Sequence, residues 1–209
     1  MDLKFYSERG KYKDGSQNIR YKKAVKLASV LPNSLVLDVG CREGTLKKYL
    51  PENIKYSGID IVPRPEKNII GCDVTKGLPF KNDFFDYIFC LEVLEHLKNP
   101  FFVLGELKRI VKPTGFIIFS VPSPYHYREI IGTLIRYDNK QGHIYSFTLQ
   151  NITTLLQFLN LELIGRCGTY FTERIPCNNV FLTRSIINKV KKSVYATKLD
   201  NFPLKKEEE

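Results

Sequence analysis

The sequence predicts an α/β protein: a doubly wound, mostly parallel sheet with helices on both faces. Three observations carry that prediction. Short, continuously apolar runs alternate with stretches of helical periodicity, the pattern of strands buried on both sides. The first such run, "VLDVGCREGTL" (residues 36–46), breaks into Asp38, Gly40 and Gly44, the way a strand ends when its backbone must turn tightly around a ligand. Each of the next three apolar runs also finishes at an acid, in Asp60, Asp73 and Glu92.

Taken in order, "SQNIRYKKAVKLASVLP" places Ile19, Lys23, Leu27 and Val30 at roughly helical spacing, and Pro32 closes it. "SLVLDV" is a short buried strand, and "GTLKKYL" a brief helix stopped by Pro51. "IKYSGID", "NIIGCDV" and "FFDYIFC" read as the second, third and fourth strands. "NPFFVLGELKRIVKP" is amphipathic, with Phe101, Leu104, Leu107, Ile110 and Val111 in one stripe and Pro113 after it. "GFIIFSVP" is the fifth strand. Residues 122–147 are aromatic and polar and hold two of the three histidines. A helix ("TLQNITTLLQFLN"), a strand ("LELIGRCG"), a basic helical piece ("LTRSIINKVKKS") and a last strand ("SVYATK") complete the expectation.

The chain has 209 residues, a length suited to one domain. We divide it into an N-terminal helical cap (1–33), a ligand-binding core (34–121), a lid or insertion (122–147), the remainder of the sheet (148–198) and a tail (199–209). No apolar stretch approaches the ~20 residues of a membrane span. The first residues lack an apolar signal core, and the five cysteines form no CxxC pair, so a reducing, cytoplasmic setting is expected. The net charge of +10 is concentrated at the ends. Residues 1–34 carry eight basic and three acidic side chains, and residues 184–198 carry five and none. Such a balance suits a lysine-rich solvated surface, nucleic acid, acidic substrates or anionic lipid.

In open parallel sheets ligands sit outside the carboxyl ends of the strands. Asp60 falls twenty positions after Gly40, where an acid accepts hydrogen bonds from the hydroxyls of a ribose. Asp73 is then placed for a purine edge. A dinucleotide is disfavoured, because the G-x-G-x-x-G spacing is absent and the short "GTLKKYL" offers a poor helix N-terminus to a pyrophosphate.

At this point "VLDVGCREG", "YSGIDI", "GCDVTKGLPFKNDFFDYIFCLEVLEHLKNP" and "ELKRIVKPTGFIIFSVP" resemble the successive motifs of class I S-adenosylmethionine-dependent methyltransferases, nearest the ubiquinone-biosynthesis-like, methyltransferase type 11 branch. The resemblance runs through residues 34–122 and more loosely 143–165. It implies a Rossmann-like, seven-stranded sheet with one antiparallel strand, which makes "SVYATK" the reversed strand beside the fifth. It implies S-adenosylmethionine as cofactor and S-adenosylhomocysteine as product. By that resemblance Asp38, Gly40, Cys41 and Gly44 lie against the methionine half and Asp60 with Ile61 holds the ribose. Asp73 and the Val74 N–H meet the adenine, and Cys90, Leu91 and Glu92 face the cofactor amino acid.

Arg42 departs from the family, which has glycine there. It is tolerated if its φ is negative and its side chain points outward; otherwise it reaches the cofactor carboxylate or marks weakened binding. Tyr12, Arg20 and Tyr21 either close over that carboxylate or lie on a solvated helix.

Methyl transfer needs alignment and exclusion of water, and a base only if the acceptor must lose a proton early. The catalytic candidates are His96, His143 and Tyr125: His143 is either structural or faces the substrate, and Tyr125, with His126 and Tyr127, either contacts the acceptor or forms a hydrophobic cover over a ligand. His96 either works near the reacting methyl or caps the helix after the fourth strand. No N/D-P-P-Y, no Pro-Cys pair, no acid-acid-Asn set and no His/Cys cluster is present, and no metal is expected. A hydroxyl, carboxyl, amine or activated carbon on a small or medium-sized molecule remains as acceptor. Rival readings are a non-catalytic cofactor-fold protein, which Arg42 motivates, and an RNA methyltransferase, which the charge motivates. Ile186, Ile187, Val190 and Val194 in the basic helix suit either packing or peripheral contact with a membrane.

Overall fold

The computed structural model describes residues 16–125, 142–169 and 178–185. Its spine is one seven-stranded sheet of β1 (Leu35–Val39), β2 (Lys55–Asp60), β3 (Ile69–Gly71), β4 (Phe85–Leu91), β5 (Val111–Pro122), β6 (Leu161–Thr169) and β7 (Asn178–Ser185), in the order β3-β2-β1-β4-β5-β7-β6. The first five run parallel, and β7 alone is reversed, pairing antiparallel with both β5 and β6. Three α-helices are described: α1 (Ser16–Ala28), α2 (Pro100–Ile110) and α3 (Leu149–Phe158).

The strands alternate in which layer they feed. Val36 of β1, Phe89 of β4, Ile118 of β5 and Val180 of β7 pack with Ala24 and Ala28 of α1 on one face. Leu37, Val39, Ile88, Ile117 and Phe119 pack with Val103, Leu104 and Leu107 of α2 and Ile152 and Leu156 of α3 on the other. Two buried faces explain why these segments are apolar without interruption. α2 and α3 both start on side-chain caps that satisfy otherwise orphaned amides. Asn99 accepts from the Phe102 N–H with Pro100 at the first helical position, and Thr148 accepts from the Asn151 N–H.

The reversed strand is a correction. It is "NNVFLTRS", 178–185, and not "SVYATK", which lies outside the described residues. The sequence reading put Leu182–Ser185 into a basic helix because positive charge gathers from Arg184 onward. The deciding feature is "VFLT": Val180, Phe181, Leu182 and Thr183 are all buried, as an inner strand requires. "GTLKKYL" forms a 3-10 turn over Thr45–Tyr49 instead of an α-helix, and β3 ends at Gly71, two residues before Asp73. The strand order reverses about the β1–β4 pair, since successive strands are added outward from β1 to β3 on one side and from β4 onward on the other. The topological switch point, and with it the ligand crevice of such sheets, therefore lies at the carboxyl ends of β1 and β4. Among the described residues no helix is long and apolar enough to cross a membrane.

Candidate functional site

Four strand ends converge at that switch point. β1 delivers Asp38, buried, and then the loop 40–44. Gly40 and Gly44 both have φ of 67°, the left-handed region that favours glycine. Gly40 is also sterically closed, because a Cβ there would stand 2.5 Å from Val93 Cγ2. The loop is pinned from below: the Gly40 and Cys41 N–H groups donate to the Ile59 carbonyl at 2.9 and 3.1 Å.

Arg42 has φ of 50°, so the condition of a negative φ is overturned. An L-residue in this region costs about 1–2 kcal/mol. Its backbone explains why the conformation holds: the Arg42 N–H donates to Asp60 Oδ2 at 2.9 Å. Asp60, buried at the end of β2, accepts on its other oxygen from the Val62 N–H at 2.9 Å, and Arg64 Nη1 stands 3.8 Å away. The carboxylate thus ties the glycine loop to β2 and retains lone pairs for a further donor. Ile61 follows, half-buried.

Asp73 caps a 3-10 turn over Val74–Lys76, its Oδ1 accepting from the Thr75 N–H and hydroxyl at 3.1 and 2.6 Å. Those bonds hold its carboxyl below the usual range. Val74 is buried beneath.

At the end of β4 the three named residues separate. The Cys90 side chain is wholly buried among apolar groups of the core, which pushes its thiol well up. Leu91 is buried on the α1 side. Glu92 stands at the crevice with φ of 57°. Its N–H donates to Ser120 Oγ and O, both at 3.1 Å, and its Oε1 accepts from the Ser120 hydroxyl at 2.7 Å. Arg20 Nη1 of α1 lies 3.6 Å from Glu92 Oε2. Arg20 is only 9% exposed, so it does not sit on a solvated helix, and its buried Nε has no acceptor among the described residues.

His96 does not cap the following helix; Asn99 does. His96 ends a 3-10 turn, Leu94–His96, and its Nδ1 lies 3.2 Å from the Gly142 carbonyl. The Ile144 and Tyr145 N–H groups donate to the Glu95 carbonyl, and the Tyr145 hydroxyl to the Lys98 carbonyl. This straps residues 142–145 onto the turn and brings the His143 ring within 5.0 Å of the His96 ring. Glu95, quoted in the sequence only as half of an "EH" pair, lies beneath. It is fully buried, neither carboxylate oxygen has a hydrogen-bond partner among the described residues, and His96 Nε2 stands 3.9 Å away. Burial, and then the charge of Glu92, push its carboxyl well up.

Glu95, His96 and His143 bring one carboxylate or imidazole atom each within 4.8 Å of one another. Tyr125, three residues beyond β5, is 60% exposed. His126, Tyr127 and Tyr12 fall outside the described residues.

The convergence of an acid-rich crevice with a glycine loop at the switch point defines a nucleoside-cofactor enzyme of the Rossmann-like class. A methyltransferase-domain family model matches residues 17–165, and the chain belongs to that family of S-adenosylmethionine-dependent enzymes. It is 34% identical over 104 residues to the ubiquinone biosynthesis O-methyltransferase of Thiobacillus denitrificans, covering 43% of this chain and 45% of that protein. It is 29% identical over 161 residues to the tRNA U34 carboxymethyltransferase of Nautilia profundicola, covering 69% and 54%. The chain thus spans about half the length of these curated relatives. Its fold superposes with a TM-score of 0.67 on the putative methyltransferase solved in complex with the Haloferax volcanii Trm112 methyltransferase activator, at 15% identity, covering 90% of this chain and 98% of that one.

Proposed function

We propose that the protein transfers the methyl group of S-adenosylmethionine to a small or medium-sized acceptor, through a hydroxyl, carboxyl, amine or activated carbon. The observation that carries this reading is the placement of Glu95 and His96 just beyond the end of β4, with His143 held against them by the strap 142–145, beside the acid-rich crevice.

The cofactor supplies a methyl group on a sulfonium, whose charge disappears as the new bond forms. The chain's contribution is alignment and dryness. In this reading Asp60 and Ile61 hold the ribose, Asp73 and the Val74 N–H the adenine, and Glu92 faces the amino group. The Arg20 guanidinium, with its unspent Nε, takes the cofactor carboxylate as a charge-assisted bond. Tyr125 and the strap 142–145 line the acceptor side. His96 or His143 accepts the acceptor's proton where the acceptor has one to lose.

A second reading, methylation of RNA, is supported by the basic balance of the sequence and by the likeness to a tRNA-modifying enzyme over 69% of the chain. One experiment separates them. The protein is incubated with methyl-tritiated S-adenosylmethionine, a panel of phenols, carboxylic acids and amines, and total RNA. Label in the small-molecule extract supports the first reading. Label in acid-precipitable RNA, with binding that weakens steeply with salt, replaces it with the second. Label in neither, with the cofactor bound, returns the non-catalytic alternative.

A further inference from the structure

Beneath the glycine loop lies a group that neither the motifs nor the comparisons assign. Tyr56 stands on β2 two residues before Gly58, so the two share one face of the strand. Gly58 is the register partner of Asp38 on β1. Because Gly58 has no side chain, the Tyr56 ring leans along the strand over it: a Cβ on Gly58 would stand 3.3 Å from the Tyr56 hydroxyl and 2.9 Å from Cys41 Sγ. The hydroxyl thereby reaches Asp38 and donates to Oδ2 at 2.8 Å. It also lies against the underside of the loop, 3.5 Å from where a Gly44 Cβ would be.

Asp38 is in an unusual position for an acid. It is 4% exposed, and among the described residues it has no ion pair and one side-chain donor, the neutral Tyr56. The groups that face it are the Tyr56 hydroxyl and Asp60 from β2, the Cys41 thiol from the loop, Tyr21 from α1 and Cys90 from β4. None of these is a cation. The ligand that the crevice takes brings one, in its ammonium group.

We propose that Tyr56 is a positioning residue for the cofactor: its hydroxyl fixes the Asp38 carboxyl and the loop 40–44 from below, and S-adenosyl ligands bind with release of the Asp38 proton. The inference rests on the cofactor assignment and deepens it. Burial, the first cause, and then the charge of Asp60 push the Asp38 carboxyl up to about 7, while the Tyr56 hydrogen bond pulls it down. The sign follows. Above pH 7 Asp38 is already charged and binding costs no deprotonation. Below pH 7 the proton must leave, and affinity falls by about tenfold per pH unit. Without the Tyr56 hydroxyl the charged form loses its donor, and the midpoint moves to higher pH.

Calorimetric titration of the full chain with S-adenosylhomocysteine, from pH 5.5 to 8.5, tests this in the unmodified protein, in Tyr56→Phe and in Asp38→Asn. The unmodified protein should lose affinity below pH 7. Tyr56→Phe should bind several-fold more weakly at pH 7 with its midpoint moved upward, and Asp38→Asn should bind weakly with no pH dependence. Tyr56→Phe with wild-type affinity and midpoint would overturn the positioning role, and a flat profile in the unmodified protein would overturn the proton linkage. A melting curve for each ligand-free variant confirms that it is folded. Should the unmodified protein take no S-adenosylhomocysteine at any pH, the cofactor assignment itself fails and the proposal with it.

Discussion

The two halves of the site are built on opposite terms. At the ends of β1 and β2 nearly every polar group is already spent within the chain. Asp60 accepts two backbone N–H groups, Ile59 O receives two more, and Tyr56 holds Asp38. Among the described residues, both Glu95 oxygens beyond the end of β4 and Arg20 Nε on α1 are buried without hydrogen-bond partners. A buried polar group without a hydrogen-bond partner costs about 1–3 kcal/mol, so this half carries an energetic cost that the first half does not. In the proposed reading, the first half is preorganised for the cofactor, which does not vary. In the same reading, the acceptor and the cofactor carboxylate meet the second.

That contrast is broken most sharply by removing an imidazole. His143→Ala should lower the methyl-transfer rate by at least about a hundredfold, the range of a lost general base, while leaving S-adenosylhomocysteine affinity within about twofold. A parallel loss of affinity in a calorimetric titration would merge the two halves into one.

Next in size is Asp60→Ala. Loss of charge-assisted hydrogen bonds, and of the tie that holds the Arg42 amide, should weaken cofactor binding by roughly ten- to a hundredfold. Unchanged affinity would refute the ribose assignment.

Arg42→Gly is smaller and sharpens the account of the loop. Relief of the left-handed backbone at φ 50° is offset by the extra chain entropy of glycine, leaving a gain of at most about 1 kcal/mol in denaturant unfolding. Cofactor affinity should hold. A tenfold loss would make the Arg42 side chain a ligand for the cofactor carboxylate.

Smallest is a stability effect at Asp38. Its folded carboxyl is raised to about 7, so the stability it contributes is present at low pH and is lost as pH rises toward and through 7. Ligand-free Asp38→Asn should therefore melt at or above the wild-type temperature at pH 8, despite its weakened ligand binding. A marked drop in melting temperature there would show that the charged form is needed for folding.

How far the sequence could be read follows the same division. β1, β4 and the second half of β5 were legible because both faces are buried and the apolar runs nearly unbroken. Gly40, Gly44 and Asp60 were legible because turn chemistry and a charged strand end are local signals. Arg42 misled, since nothing in its identity announces that a backbone bond to Asp60 would hold it at positive φ. Tyr56 was silent because its role depends on the missing side chain of Gly58 and on register with β1. Glu95 was hidden by burial, which no spacing reveals, and β7 by the basic residues that follow it. Cys90 matched its motif yet turned inward to the core, since alternation along β4 puts it on the face packed by α2.

The central claim is that the carboxyl ends of β1 and β2 form a ready cradle for an adenosyl group. The most direct measurement is a crystal structure of the protein grown with S-adenosylhomocysteine. The account predicts ribose hydroxyls about 3 Å from the Asp60 carboxylate, the adenine against Ile61 and Val74, and loop 40–44 unmoved. A ligand bound away from Asp60, or a loop that must reorganise to admit it, would contradict the account.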